Sequence, residues 1–508
     1  MGVTILRTSG GKLDRTNEKA LNALIERIGK GSPKVLVHLH GGLVDQASAE
    51  NMAGRLSGTG DAAYNAPADW EQVYVVWRTG TFETLARKWK DLATNDRLYK
   101  AILKRLLSFV SGKVRVSAIA GRSLAQERVL TPANIQARLA SGSDDPFGDV
   151  DALYIAPTGS RSAIGVADEA DMESELKLEL QLDTDIEEVA SGIEESLAAG
   201  HPKVARKGSS GDAALGKESF DRLDTKIQKE LKAQASTLSS TRGIISGEIV
   251  RKIITHGVKI GMRSINRYRE GHDHGLHATI VEEIARELYA GVIGSAIWSM
   301  MRDNASEHFE PTGLGSRLFA AIADNPRAKL LVVAHSAGSI FASDLLLWAD
   351  KHKPDLETDL VFLAPAVRTL KFAAALGASE ARIRRFRMFA MQDAVERRDA
   401  LLGTGLGFIY PSSLLYLVSG LFEQGASDEM SDAPLLGMQR FQDPGSSWLN
   451  DAREGPPLQR VRAFLAAGPD RMVFSKVTGG DGLNCDAVSH GAFDDEIATL
   501  KSVATFFA

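Results

Sequence analysis

Apolar positions along the chain gather into short, nearly unbroken runs. KVLVHLH (34–40) leads into Gly41-Gly42, QVYVVW (72–77) ends at Arg78-Thr79-Gly80, and KLLVVA (329–334) enters a turn of small residues. TDLVFLAP (358–365), RRFRMFA (384–390) and RMVFSKV (471–477) complete the set, with VTILRT (3–8) as one early strand ahead of them. Runs that are apolar at consecutive positions bury both faces, as strands of a parallel sheet do. Between them the period becomes helical, over 47–56 and over 339–350, which stops near Pro354. A last helix is predicted over 494–507. Ile497, Leu500, Val503 and Phe507 share one of its faces, and Asp494 and Asp495 sit at its positive N-terminal end. Strands alternating with helices predict right-handed βαβ units, hence an α/β protein with a mostly parallel sheet flanked by helices.

From residue 81 to about 315 that rhythm is lost. A long helical pattern covers 83–110, and LTPANIQARL offers Thr131 as a cap with Pro132 at the first helical position. DALYIA (151–156) reads as a strand and ESELKLELQL (173–182) alternates with period two, so a small sheet is expected here. Thr184 and Glu187 form a capping-box pattern before a face of Ile186, Val189, Ile193 and Leu197. Residues 205–218 read as a loop, and helical patterns follow near 220–238 and 245–270. The predicted organisation is a discontinuous core, 1–80 and 316–508, interrupted by an insertion (cap) domain at 81–315 that is mainly helical.

A chain of 508 residues has room for such an insertion. Its net charge of −5, with no basic stripe, gives no footprint for nucleic acid. The single cysteine, Cys485, excludes an intramolecular disulfide and fits a reducing compartment. The first residues lack a signal-peptide pattern, and Leu6 occupies the position where myristoylation needs Ser or Thr. The long apolar stretch 401–423 contains Gly403, Gly405, Gly407 and Pro411, which suits a buried pocket wall better than a membrane span. The expectation is a cytoplasmic chain without a transmembrane segment.

Candidate chemistry centres on Ser336. It lies in Ala-His-Ser-Ala-Gly, a variant of the Gly-x-Ser-x-Gly nucleophile elbow with Ala334 in place of the first glycine and Gly338 as the second. A serine held on a strand-to-helix turn needs small neighbours two positions away on either side. An oxyanion requires main-chain N–H donors. Ala337, at the start of a helix, is one candidate, and the Gly41, Gly42 and Leu43 stretch supplies the other. His490, between the last strand and the last helix, is the candidate base. Asp393 follows the 384–390 run and is the candidate acid, with Glu396 in reserve. Asp399 fits a solvated charge cluster with Arg397 and Arg398.

In these parts, VLVHLHGG, VVAHSAG, the acid after FRMFA and SHG before the last helix, the chain resembles the α/β-hydrolase fold family of serine esterases and lipases. The resemblance spans the sheet region, about half of the chain, and leaves out the insertion. It implies an eight-stranded, mostly parallel sheet, a Ser–Asp–His triad, an acyl-enzyme mechanism and no cofactor. The insertion ahead of the elbow strand, together with the apolar segment 401–423, points to a small-molecule or lipid-like ester as substrate rather than a peptide. One departure stands out: only one early strand precedes the His-Gly-Gly strand.

Other residues carry competing readings. His272, Asp273, His274 and His277 with Glu282 and Glu283 contain metal-ligating types, but their spacing matches no metal motif, and Thr279 to Glu282 is a capping-box pattern. His40, His335 and Arg78 flank the candidate site as possible substrate contacts. Cys485 is not on an elbow, so it makes no nucleophile pair with His490. The acidic stretch 168–195 reads as a solvated face. The alternative to an enzyme is a non-catalytic binding or effector module on the same fold, acting through the insertion.

Overall fold

The structure is a computed structural model that describes residues 2–42, 44–77, 82–113, 130–154, 169–199, 210–237, 244–290, 295–403, 406–423 and 432–508. Eight strands form one sheet: β1 Val3–Ser9, β2 Lys12–Leu13, β3 Lys34–Leu39, β4 Trp70–Trp77, β5 Lys329–His335, β6 Thr358–Leu363, β7 Ile383–Met391 and β8 Met472–Ser475. Their order is β2-β1-β4-β3-β5-β6-β7-β8, and only the short β2 runs antiparallel to its neighbour. All the apolar runs are strands, and β4 and β6 are buried at every position.

Period-two alternation divides the strands between two cores. Val35, Val37, Leu39, Val332, Ala334, Phe362 and Met388 face one layer, while Leu36, Leu331, Val333, Val361, Leu363 and Phe389 face the other. The second layer is closed by Ala53 and Leu56 of the helix Gln46–Leu56 and by Leu500, Val503, Phe506 and Phe507 at the chain's end. The first layer is continuous with the apolar faces of the insertion helices, among them Leu103, Leu176, Ile253 and Ile284.

Strand order fixes where a site can form. From β3 the chain steps outward to β4, whereas β5 pairs on the opposite side of β3 and the later strands continue that way. The carboxyl ends of β3 and β5 therefore border a topological switch point, where an open parallel sheet leaves a crevice. Gly41-Gly42 follows β3 and Ser336 follows β5, so both loops open at that crevice.

The insertion departs from expectation in several places. No strand occurs among its described residues. The 173–182 segment lies within the helix Glu169–Gln181 and reaches just past it. Met172, Leu176 and Leu180 recur at helical spacing and are buried, while the alternate Leu178 and Leu182 are 57% and 70% exposed. A leucine at every second position matches a strand and a helix equally at i and i+4, and packing decided for the helix. Residues 151–154 end the helix Gly148–Tyr154, and 155–156 lie outside the described residues. The expected loop 205–218 is helical from Ser210 onward.

Helix ends also moved. The long pattern at 83–110 breaks into Phe82–Asn95 and Arg97–Lys113, because the Asp96 carboxylate caps the second helix through Tyr99 N–H at 2.9 Å. Asp183, not Thr184, caps Thr184–Ala199 by accepting from Asp185 N–H. Thr279 lies inside Leu276–Leu288, where its hydroxyl accepts from His274 N–H. The last helix is shorter, Ile497–Ala504 with Glu496 as its cap, and this leaves Asp494 and Asp495 in the preceding loop. Thr131 caps Pro132–Leu139 as expected. Among the described residues no helix is long and apolar enough to cross a membrane.

Candidate active site

Ser336 occupies the turn between β5 and the helix Gly338–His352 with φ of +50°. Left-handed backbone in a non-glycine residue costs on the order of 1–3 kcal/mol and persists only where its surroundings enforce it. Here they do. Ser336 N–H donates to Leu363 O at 2.8 Å, and its carbonyl accepts from Ser339 N–H, the Ser339 hydroxyl and Ala366 N–H. The Ser339 hydroxyl also accepts from Val367 N–H at 3.0 Å, tying the elbow to the loop after β6.

Small residues are required around it. A Cβ on Gly338 would meet the main chain of Leu39 in β3. A Cβ on Gly41 would lie 3.2 Å from Ser336 Cβ, and one on Gly42 would lie 3.1 Å from Ala337 Cβ and 2.9 Å from Met301 Sδ. The glycine pair after β3 thus presses directly on the elbow. Among the described residues, the N–H groups of Gly41, Gly42 and Ala337 have no backbone acceptor. Leu43 and Arg78 lie outside the described residues.

His490 opens a short 3₁₀ turn, and its Nε2 lies 2.8 Å from Ser336 Oγ. The two residues are 154 positions apart in sequence and are both buried, 2% and 7% exposed. Burial, reinforced by the nearby charge of His335, holds the His490 pKa down at about 3 against the pull of Asp494. The imidazole is therefore a neutral base. Among the described residues its Nδ1 has no hydrogen-bond partner.

The expected acid, Asp393, is not on His490. One of its oxygens accepts from the Tyr416 hydroxyl and the other from Arg397 Nε at 2.9 Å. Burial alone would raise its pKa, but the Arg397 and Arg440 charges hold it below the usual carboxylate value. Glu396 is fully buried, receives the Ser413 hydroxyl, and is pushed well above the carboxylate range by burial. The carboxylate that does touch His490 is Asp399, whose Oδ2 accepts from His490 main-chain N–H at 2.7 Å. Burial raises Asp399 to about 6. Sequence alone placed it in a solvated cluster.

Neither flanking histidine has a free ring nitrogen. His40 Nε2 accepts from Trp77 N–H at 3.2 Å and its Nδ1 donates to Gly41 O at 2.7 Å, which bends the glycine loop. His335 joins Asp494 Oδ2 at 3.2 Å and His490 O at 3.0 Å. The only sequence signal for Asp494 was an acid four residues beyond the candidate base.

Within the His272–Glu283 cluster, His274, Glu282 and Glu283 are taken up by ion pairs, while His277 rests edge-on against Phe147. His274 is wedged between Glu282 Oε1 and Asp432 Oδ1, each at 2.8 Å. Arg267 faces Glu282 and Glu283, and His272 stacks on Trp448 at 4.1 Å. Among the described residues no group of three or more His, Cys, Asp or Glu is arranged to hold a metal ion. Cys485 is buried and joined to Thr499, away from the elbow. Residues 409–423 are buried throughout. No family model, curated protein or solved structure matches this chain.

Proposed function

We propose that this chain is a serine hydrolase acting on a carboxylic ester, built on an α/β-hydrolase-type core with the insertion as its cap. One observation carries the reading: Ser336, on a strained strand-to-helix turn, has its hydroxyl 2.8 Å from the neutral imidazole of His490. The chain order of serine after β5, carboxylates after β7 and histidine after β8 agrees with the resemblance. So does the glycine pair against the elbow.

In this mechanism His490 Nε2 takes the Ser336 proton as Oγ attacks the ester carbonyl. The N–H of Ala337 and those of the Gly41–Gly42 stretch receive the oxyanion, each donor worth on the order of 3 kcal/mol. His490 then protonates the leaving alcohol and activates water for deacylation. For Nε2 to accept a proton, the ring must carry its own proton on Nδ1, and an acid must orient it there. Asp399, already bonded to His490's main chain, fits that role better than Asp393, whose two oxygens are engaged by Tyr416 and Arg397. The expectation of an apolar, lipid-like acyl or alcohol group rests on the composition of 401–423, of which 409–423 are buried.

The unpartnered Nδ1 favours a second reading, a binding module on the same core without turnover. A fluorophosphonate probe and a chain-length series of p-nitrophenyl esters separate the two. Labelling and hydrolysis in wild type, both lost in Ser336→Ala, are the expected result. A folded wild-type chain that takes no label would establish the binding module instead.

A further inference from the structure

His335 immediately precedes the candidate nucleophile, yet its ring nitrogens bond the loop that carries His490 and not Ser336. It is 6% exposed, and each ring nitrogen faces an acceptor. Nε2 meets the main-chain carbonyl of His490, which has no proton to give, so Nε2 must carry one. Nδ1 meets Asp494 Oδ2. Although burial opposes it, the His335 charge keeps Asp494 ionised down to about 2, so that oxygen also only accepts. With two acceptors and no donor facing it, His335 is an imidazolium.

We infer that His335 is a positioning residue: paired with Asp494, it clamps the main-chain carbonyl of His490 and so fixes the general base relative to Ser336. The inference rests on the hydrolase reading. His490 is then gripped on both sides of its Cα, its N–H by Asp399 at 2.7 Å and its carbonyl by His335 at 3.0 Å. Because His335 and Ser336 are consecutive, the clamp ties base and nucleophile to one point of the elbow. This grip also accounts for an imidazole that holds its place with no partner for Nδ1 among the described residues.

The clamp depends on charge. Titratable and charged groups facing the pair are His38 and His40 on and just beyond β3, Arg55 on the helix Gln46–Leu56, Tyr64 between that helix and β4, and His490 and Asp495 in the loop before the last helix. Arg55 holds that loop through Asp494 O at 2.8 Å and through the Asp495 carboxylate. Burial would lower the His335 pKa, but Asp494 and the His490 carbonyl raise it above the ordinary value. When pH rises through that value, the remaining proton stays on Nδ1 beside the anion. Nε2 then turns a lone pair toward the His490 carbonyl, and attraction becomes repulsion.

The test is the pH dependence of fluorophosphonate labelling at saturating probe, corrected for probe hydrolysis. Wild type should lose maximal rate as pH rises above 6.5, and Asp494→Asn should move that fall to lower pH. His335→Leu should label at least tenfold more slowly with an unchanged half-saturating probe concentration. His335→Gln keeps a donor near the Nε2 position without a titratable charge, so it should recover most of the rate and show no alkaline fall from this source. A wild-type rate that stays flat from pH 6.5 upward overturns the clamp, as does His335→Leu labelling at the wild-type rate. If His335→Leu does not fold, wild type and Asp494→Asn still decide. An unlabelled wild type would defeat the hydrolase reading and the positioning role with it, an outcome distinct from a labelled wild type with no alkaline fall.

Discussion

Gly338→Ala tests whether the elbow is held against β3 as tightly as the structure requires. Gly338 begins a 15-residue helix, so helix propensity alone favours alanine by up to about 1 kcal/mol. The packing says the opposite. A Cβ there would lie 3.0 Å from both the carbonyl carbon and the Cβ of Leu39, and closer still to the Leu39 oxygen. Ordinary carbon–carbon contacts begin near 3.5 Å, so helix and strand must part by at least about 0.5 Å. Leu39 is fully buried and paired with Val75 on one side and Ala334 on the other, so it cannot retreat alone. Overpacking against main chain belongs near the top of the usual range, about 3 kcal/mol. Less the propensity gain, the net loss is about 2 kcal/mol. Spread over an unfolding entropy of about 1 kcal/mol per kelvin for a chain of this size, it lowers Tm by about 2 °C. Gly54→Ala is the control, because its Cβ would meet nothing within 4 Å in the exposed last turn of the helix Gln46–Leu56. There propensity acts unopposed and Tm should rise by about 1 °C. Calorimetry on the two variants gives shifts of opposite sign. A Gly338→Ala protein as stable as Gly54→Ala would refute the argument that strand contact makes this position glycine.

Two further predictions concern the acid and the buried histidines. Asp399→Asn should slow ester turnover and probe labelling by about a hundredfold or more, as expected for loss of an orienting carboxylate, whereas Asp393→Asn should act mainly on stability by loosening Arg397 and Tyr416; equal losses of rate would return the acid role to Asp393. His277 is fully buried with both ring nitrogens unpartnered among the described residues, and burial lowers its pKa to about 3. A folded pKa below the unfolded 6.5 gives stability that is present above pH 6.5 and lost as pH falls toward 3, about 2 kcal/mol between pH 7 and pH 5. His277→Leu should remove that component, so denaturation curves at the two pH values should draw closer than in wild type. Parallel pH dependence in both proteins would show that His277 is not held neutral.

Much of the sheet was legible because a strand buried on both faces must be apolar at consecutive positions, and few other structures demand that. The Ser336 turn was legible for a related reason. A left-handed residue crowded by β3 on one side and the glycine loop on the other tolerates only small neighbours, so the constraint is written into the adjacent positions. The insertion was harder to read. Leucines at 176, 178, 180 and 182 satisfy two periods at once, and only contact with the neighbouring helices selects one.

The sequence by itself singled out the serine on a turn and the histidine that the structure brings together, because local backbone demands restrict residue type. Tertiary structure alone decided how they are joined. Carboxylates at 393, 396, 399, 494 and 495 are equivalent as letters. What distinguishes them is which cation, hydroxyl or N–H group each one meets, and some of those partners lie far off in sequence, His335 for Asp494 and Arg55 for Asp495. Burial holds the His490 pKa down, whereas Asp494 and the His490 carbonyl raise that of His335 against the same burial, although both are histidines in one buried site.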